Sequence, residues 1–204
     1  MNILAIGAHP DDIELGCGGT LARYHTQGAK SYLLVMTKGE EGGAAEVRQK
    51  EQMASLGILG GQTVFFADYA DTRIPLDKEL IERIETVLQE VQPHLIFAHY
   101  PDDTHQDHRT VAAATISATR HARNVLFYEV QTTQHFTPTV FGDIGSQLET
   151  KIAALEAHAS QMMKTNRQGL SMAEVARALA TFRGIQARVK HAEGFVPLRL
   201  LIGE

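Results

Sequence analysis

Short apolar runs alternate along the chain with longer stretches whose apolar residues recur every three or four positions. This alternation is the mark of βαβ units laid around a parallel sheet. Residues 2–8 (NILAIGA) form a continuous apolar run followed by Pro10, which predicts a strand buried on both faces. Residues 13–27 follow as a helix, with Leu15, Leu21, Ala22 and Tyr24 for its core side and Gly28 to end it. Residues 31–37 (SYLLVMT) predict a second strand, 44–56 a helix and 63–66 a short third strand. Residues 77–91 carry Leu80, Ile81, Ile84, Val87, Leu88 and Val91 at helical spacing, and Pro93 closes that amphipathic helix. Residues 94–99 (HLIFAH) predict a fourth strand, 107–118 a helix, 125–130 a fifth strand and 139–144 a short sixth one. Helices over 147–158 and 171–191 complete the chain. No repeat, low-complexity tract or Pro/Ser-rich linker interrupts the pattern, so a single domain over residues 1–204 is expected.

In open parallel sheets, sites form beyond the carboxyl ends of the strands. Two clusters obey that rule. His9-Pro10-Asp11-Asp12 follows strand one, and residues 102–108 (DDTHQDH) follow strand four. Strands one and four can be neighbours in a doubly wound sheet, which would set the clusters across one crevice.

Bulk composition narrows the function classes. With 204 residues the chain can bury a substantial core. Its net charge of -5 argues against non-specific nucleic-acid binding, which needs a basic face. The single cysteine, Cys17, excludes an intramolecular disulfide and fits a reducing compartment. No basic segment followed by a long apolar stretch opens the sequence, and no apolar run is long enough to cross a bilayer. A cytoplasmic location without a membrane span is therefore expected.

A His-x-x-Asp or His-x-x-His pair means little alone in a chain with ten histidines. Two such pairs, each directly after a core strand and each with extra carboxylates, point to a metal. A catalytic Zn²⁺ takes three His or carboxylate ligands and keeps one position open. His9, Asp12, His105 and His108 are four candidates, so one His should act on the substrate instead. Asp11, between two ligands, is placed to take a proton from a metal-activated water. A protonated imidazole would then stabilise the oxyanion and later protonate the leaving amine, a role that suits His105. Asp107 is expected to orient that imidazole.

Ala8-His9-Pro10-Asp11-Asp12, Glu14, Gly16 and Gly18-Gly19-Thr20, followed by His105-Gln106-Asp107-His108, resemble the PIG-L/LmbE-like family of metal-dependent N-deacetylases. The likeness extends to residues 35–40 with Arg48 and Glu51, and to Lys151, His158, Ser160-Gln161 and Glu193-Gly194-Phe195. The resemblance implies an α/β, Rossmann-like three-layer fold with a mostly parallel sheet and its site at the carboxyl ends of strands one and four. It implies His9, Asp12 and His108 as metal ligands, Asp11 as general base and His105 as the acid on the oxyanion side. It also implies an N-acetylglucosamine-type sugar conjugate as substrate, released acetate, and a homo-oligomer. Two His and one carboxylate suit Zn²⁺, and the same set suits Fe²⁺.

Arg48 is a further candidate, as a bidentate donor to a substrate anion or hydroxyl. Glu51 is expected to pair with it. Asp68, Asp71 and Arg73 are candidates for the pocket rim, and Asp102 and Asp103 would make that rim acidic. Gly16-Cys17-Gly18-Gly19-Thr20 lacks the spacing and the lysine of a phosphate loop, so its glycines read as close helix packing. Two other functions compete with this reading: cleavage of a different amide or ester at the same site, and a non-catalytic nucleotide-binding module. The missing glycine fingerprint argues against the second.

Overall fold

The computed structural model describes residues 1–165 and 167–202. Seven strands form one sheet: β1 (Asn2–Gly7), β2 (Lys30–Thr37), β3 (Thr63–Tyr69), β4 (Leu95–His99), β5 (Val125–Tyr128), β6 (Val140–Asp143) and β7 (Ala192–Arg199). Their order is β3-β2-β1-β4-β5-β7-β6. The first five are parallel, and β7 runs antiparallel to both β5 and β6. Strands β1 and β4 are direct neighbours, Ile3 lying opposite Leu95. The chain reverses direction around β1, which opens the switch-point crevice where α/β ligands bind.

Six helices cover the two faces: α1 (Asp12–Thr26), α2 (Ala45–Leu59), α3 (Lys78–Val91), α4 (Gln106–Ala118), α5 (Leu148–Glu156) and α6 (Met172–Ala187). Helices α3 and α4 pack one face, where Leu80, Ile84 and Val87 meet Leu4, Ile6 and Leu34. Helices α1, α2, α5 and α6 cover the other, around Ile3, Leu33, Phe97 and Tyr128. The layers are the three that the family resemblance implies, around the largely parallel sheet that the alternating pattern predicts. A Cβ on Gly16 would lie 2.1 Å from the Tyr128 ring, and one on Gly19 2.9 Å from Ile144. These glycines let α1 approach the sheet, as their close-packing reading requires.

Several elements differ from the sequence-based expectation, among them β7, α6 and β3; α2 also runs on to Leu59 and β5 stops at Tyr128. Strand β7 stands where the apolar pattern predicts none, because Glu193, Gly194 and Pro197 break any alternation. It forms because it inserts between β5 and the short edge strand β6. Helix α6 stops earlier than residue 191, at an Arg188 cap with φ of 63°. Strand β3 runs three residues past its expected end, and its pairing with β2 is irregular between Val35 and Thr37.

Candidate metal centre

The turn from β1 into α1 carries His9, Asp11 and Asp12. Asp11 adopts φ of 98°, in the left-handed region. For a residue other than glycine such a conformation costs on the order of 1–3 kcal/mol and persists only where the surroundings enforce it. Here the enforcing groups come from α2. Arg48 is buried and donates through Nη2 to the Pro10 carbonyl at 2.6 Å and to Asp11 Oδ2 at 3.2 Å. Its Nη1 donates to the Gly39 carbonyl at 2.8 Å. Gly39 has φ of 66°, and a Cβ there would strike that guanidinium.

Asp12 lies between two imidazoles. Its Oδ2 is 3.3 Å from His9 Nδ1, and its Oδ1 is 3.4 Å from His108 Nε2. Metal–ligand bonds of about 2.0–2.1 Å place tetrahedral ligands about 3.3–3.4 Å apart, so each spacing is that of two neighbouring ligands, with His9 and His108 facing different oxygens of Asp12. The outer nitrogens are held by acids. His9 Nε2 meets Asp71 Oδ1 at 2.9 Å and Asp107 Oδ2 at 3.3 Å. His108 Nδ1 meets Asp103 Oδ2 at 3.2 Å. A carboxylate on the far nitrogen is the usual support of a metal-bound histidine, since it fixes the tautomer and raises basicity. Among the described residues, three sets bring their ligating atoms within 4.8 Å of one another: His9, His105 and His108; Asp12, His99 and His108; and His9, Asp71 and Asp107, so that His108 is shared by a set with His9 and a set with Asp12.

His105 sits half-buried at the head of α4. Its Nδ1 accepts the Asp107 backbone N–H at 3.2 Å, which leaves the proton of a neutral ring on Nε2. Burial and the positive charges of His108 and His9 lower its pKa. The ring stacks on His108 at 4.5 Å and meets His9 edge-on at 4.7 Å. Burial opposes charge on His9 and His108 as well, but the carboxylates of Asp107, Asp12 and Asp71 raise the first well above the ordinary value. Asp12 and Asp103 raise His108 to about 9. Burial lifts Asp11 to about 6; Arg48 opposes this and the charge of Asp12 adds to it.

His9, Asp11, Asp12, His105 and His108 all line one open cavity of about 410 Å³. A larger cleft of about 540 Å³ lies far from this chemistry, at the amino ends of β4 and β5. Three sequence expectations need correction, those for Asp107, Asp103 and Glu51. Asp107 does not support His105: its side chain turns to His9 and to the Thr72 N–H at 2.8 Å. Arg48 lines the cavity as well, with its Nη1 and Nη2 held by the Gly39 and Pro10 carbonyls and Asp11. Asp103 is not on an acidic rim; it is buried beneath His108, whereas Asp102 is exposed and pairs with His135. Glu51 binds the Ser160 N–H and hydroxyl instead of Arg48. Of the weaker candidates, Asp71 is in the site, and Asp68 is exposed and pairs with Lys38.

His99 belongs to the site although neither sequence cluster contains it. It ends β4, stacks on His108 at 4.1 Å and brings Nε2 to 3.1 Å from Asp12 Oδ2. Burial, then the charge of His108, lowers its pKa to about 4, so the ring is neutral. Its place at the carboxyl end of a central strand is the signal that sequence reasoning could have used.

Residues 4–119 match the PIG-L family, described as GlcNAc-PI de-N-acetylase. The chain belongs to this family. It is 38% identical over 167 residues to the uncharacterized deacetylase YaiS of Escherichia coli K12, covering 78% of this chain and 90% of that protein. It is 28% identical over 223 residues to the diacetylchitobiose deacetylase of Thermococcus kodakarensis, covering 96% and 83%. Among solved structures, the conserved protein TT1542 of Thermus thermophilus superposes with a TM-score of 0.89 at 28% identity, covering 98% and 96%. The PIG-L match spans both clusters of the candidate site, from His9 to His108. No helix among the described residues is long and apolar enough to cross a membrane.

Proposed function

We propose that this PIG-L protein is a metal-dependent hydrolase that removes the acetyl group from an N-acetylglucosamine-type sugar conjugate. The observation that carries this reading is Asp12 set 3.3 Å from His9 Nδ1 and 3.4 Å from His108 Nε2, with Asp11 and His105 in the same cavity. The deacetylase relatives support the reaction and the substrate class.

His9, Asp12 and His108 would hold the metal. Zn²⁺ is the ion proposed, and Fe²⁺ is the other ion the donor set suits. A bound divalent cation supplies Lewis acidity, which lowers the pKa of water and polarises a carbonyl. The chain supplies the rest. Asp11 accepts a proton from the attacking water, and its pKa of about 6 suits a base working near neutrality. Water oxygen bonds to the acetyl carbon, and the carbonyl oxygen takes up the charge. His105 Nε2–H donates to that oxygen. The C–N bond then breaks as the proton held by Asp11 passes to the sugar nitrogen, and the acetic acid formed gives up the second proton of the water, which leaves a protonated amine and acetate.

Elemental analysis of the untagged protein, beside His9→Ala, tests the metal. About one Zn or Fe per chain, lost in the variant, is expected. Acetate release from N-acetylglucosamine conjugates tests the reaction. Asp11→Asn should lower turnover by about 10²–10⁴-fold with the metal retained. Unchanged turnover in that variant would remove Asp11 from the mechanism.

A further inference from the structure

Behind the Asp11 turn lies a buried polar set that the mechanism does not use. Glu14, in the first turn of α1, has no exposed surface. Its Oε1 accepts Gln52 Nε2 at 2.6 Å and the Ser55 hydroxyl at 2.8 Å. His158 Nε2 lies 3.6 Å from the same oxygen. Gln52 and Ser55 are themselves fully buried, on the α2 face that also carries Arg48. The other end of the Gln52 amide faces the Asp11 backbone, where Oε1 accepts the Asp11 N–H at 3.4 Å.

The two ends of Gln52 demand the same orientation. A carboxylate has no hydrogen to give, so the Gln52 NH₂ must face Glu14. That leaves the Gln52 oxygen for the one backbone N–H at the head of the strained turn. A flipped amide would set oxygen against oxygen at Glu14 and NH₂ against N–H at Asp11. Arg48 holds the Asp11 carboxylate and the Pro10 carbonyl, while Gln52 holds the Asp11 nitrogen. The turn is thus gripped on both sides of its left-handed residue.

We infer that Gln52, oriented by Glu14, is a positioning residue that holds Asp11 in its left-handed conformation and so aims its carboxylate into the cavity. Neither side chain touches the proposed reacting atoms. The inference rests on the reading of Asp11 as the base, but its first readout does not need turnover.

The test is a polarity exchange. Gln52→Glu sets two buried carboxylates against each other. Glu14→Gln removes the acceptor that orients Gln52. The double variant Glu14→Gln/Gln52→Glu swaps the two groups. The amide now at position 14 can donate to the carboxylate now at position 52. Ser55 can still donate to position 14, and the carboxylate can still accept from the Asp11 N–H. Amide hydrogen exchange at Asp11 in the full-length, zinc-loaded chain reads the turn directly. Each single variant should speed that exchange about tenfold, and the double variant should return it to within about threefold of wild type. Exchange in β5 and zinc content should stay unchanged throughout. With N,N'-diacetylchitobiose as probe, kcat should follow the same order while KM moves less than about twofold.

Single variants that exchange and turn over like wild type would overturn the inference. So would a double variant no better than the worse single. If Gln52→Glu fails to fold, Gln52→Met tests the same lost acceptor, with the same tenfold expectation. A failed base assignment looks different: Asp11→Asn would keep turnover, while the exchange pattern of the Gln52 and Glu14 variants would still hold.

Discussion

Asp103→Asn isolates the support of a proposed metal ligand without touching the ligand. In the native site the Asp103 carboxylate accepts the His105 backbone N–H through Oδ1 at 2.8 Å. Its Oδ2 accepts the Thr133 hydroxyl at 3.0 Å and lies 3.2 Å from His108 Nδ1. A group that only accepts places the His108 proton on Nδ1, which frees the Nε2 lone pair on the Asp12 side. An asparagine amide has one accepting end. With its oxygen kept on the His105 N–H, its NH₂ confronts Nδ1–H. Either two buried donors face each other, or the proton moves to Nε2 and blocks ligation. Loss of such a support typically weakens metal binding by about 10–100-fold. That range is about 1.4–2.7 kcal/mol. Zinc affinity, measured by competition with a chromogenic chelator, should fall by this factor. The thermal stabilisation that a fixed zinc concentration confers should shrink by a matching amount. Asp102→Asn, at an exposed site facing His135, is the control and should bind zinc like wild type. Zinc affinity within twofold of wild type, in a variant that still melts cooperatively, would refute the role given to Asp103.

Three further predictions concern stability and are read by denaturant or thermal melts. Gly16→Ala should cost about 1–3 kcal/mol or more, as overpacking does, because its Cβ meets the fully buried Tyr128 ring; a change under about 0.5 kcal/mol would mean that α1 can lift from the sheet freely. Lys151→Met should cost about 3–5 kcal/mol, since Lys151 and Glu193 are a buried ion pair and Glu193 would lose its cation. Tyr128→Phe removes the 2.8 Å bond to the Ile6 carbonyl and should cost about 0.5–1.5 kcal/mol, with zinc content unchanged.

The pattern of apolar runs is enough to read the parallel half of the sheet, because strands such as β1 and β4 are buried on both faces and carry no alternation to misread. It fails at β7, whose Glu193 serves α1 instead of the sheet. That carboxylate accepts the Gly19 and Thr20 amides and pairs with Lys151. A buried polar residue whose amide partners lie more than a hundred positions away leaves no local periodicity. The site divides in the same way. His9 and Asp12 are legible as candidates because they directly follow β1, and His108 because it closes a compact motif in the segment after β4. The groups around them can be assigned from sequence only by nearness, and nearness misleads. Asp107 lies two residues from His105, yet its side chain crosses to His9, 98 positions distant. Arg48 reads as a donor to substrate alone because nothing in its own helix shows that Pro10, Asp11 and Gly39 close around it.

Charge explains why so many acids gather there. Asp12, Asp71, Asp103 and Asp107 are buried, and Asp11 is nearly so. Their hydrogen bonds bring them one guanidinium, that of Arg48, and otherwise imidazoles, hydroxyls and backbone amides. An uncompensated buried carboxylate costs several kcal/mol, so this set needs positive charge from another source. Protons on His9 and His108 are one source, and the acids hold both pKa values high. A divalent cation at His9, Asp12 and His108 would replace those protons, because ligating imidazoles must be neutral on the metal side. The outer acids keep a purpose in that state. Asp71, Asp107 and Asp103 still accept from the far nitrogens and make the imidazoles stronger donors. Asp11 alone has no imidazole within hydrogen-bond reach among its described contacts. Its carboxylate meets Arg48, which leaves it the member of the acidic set best able to take a proton from water.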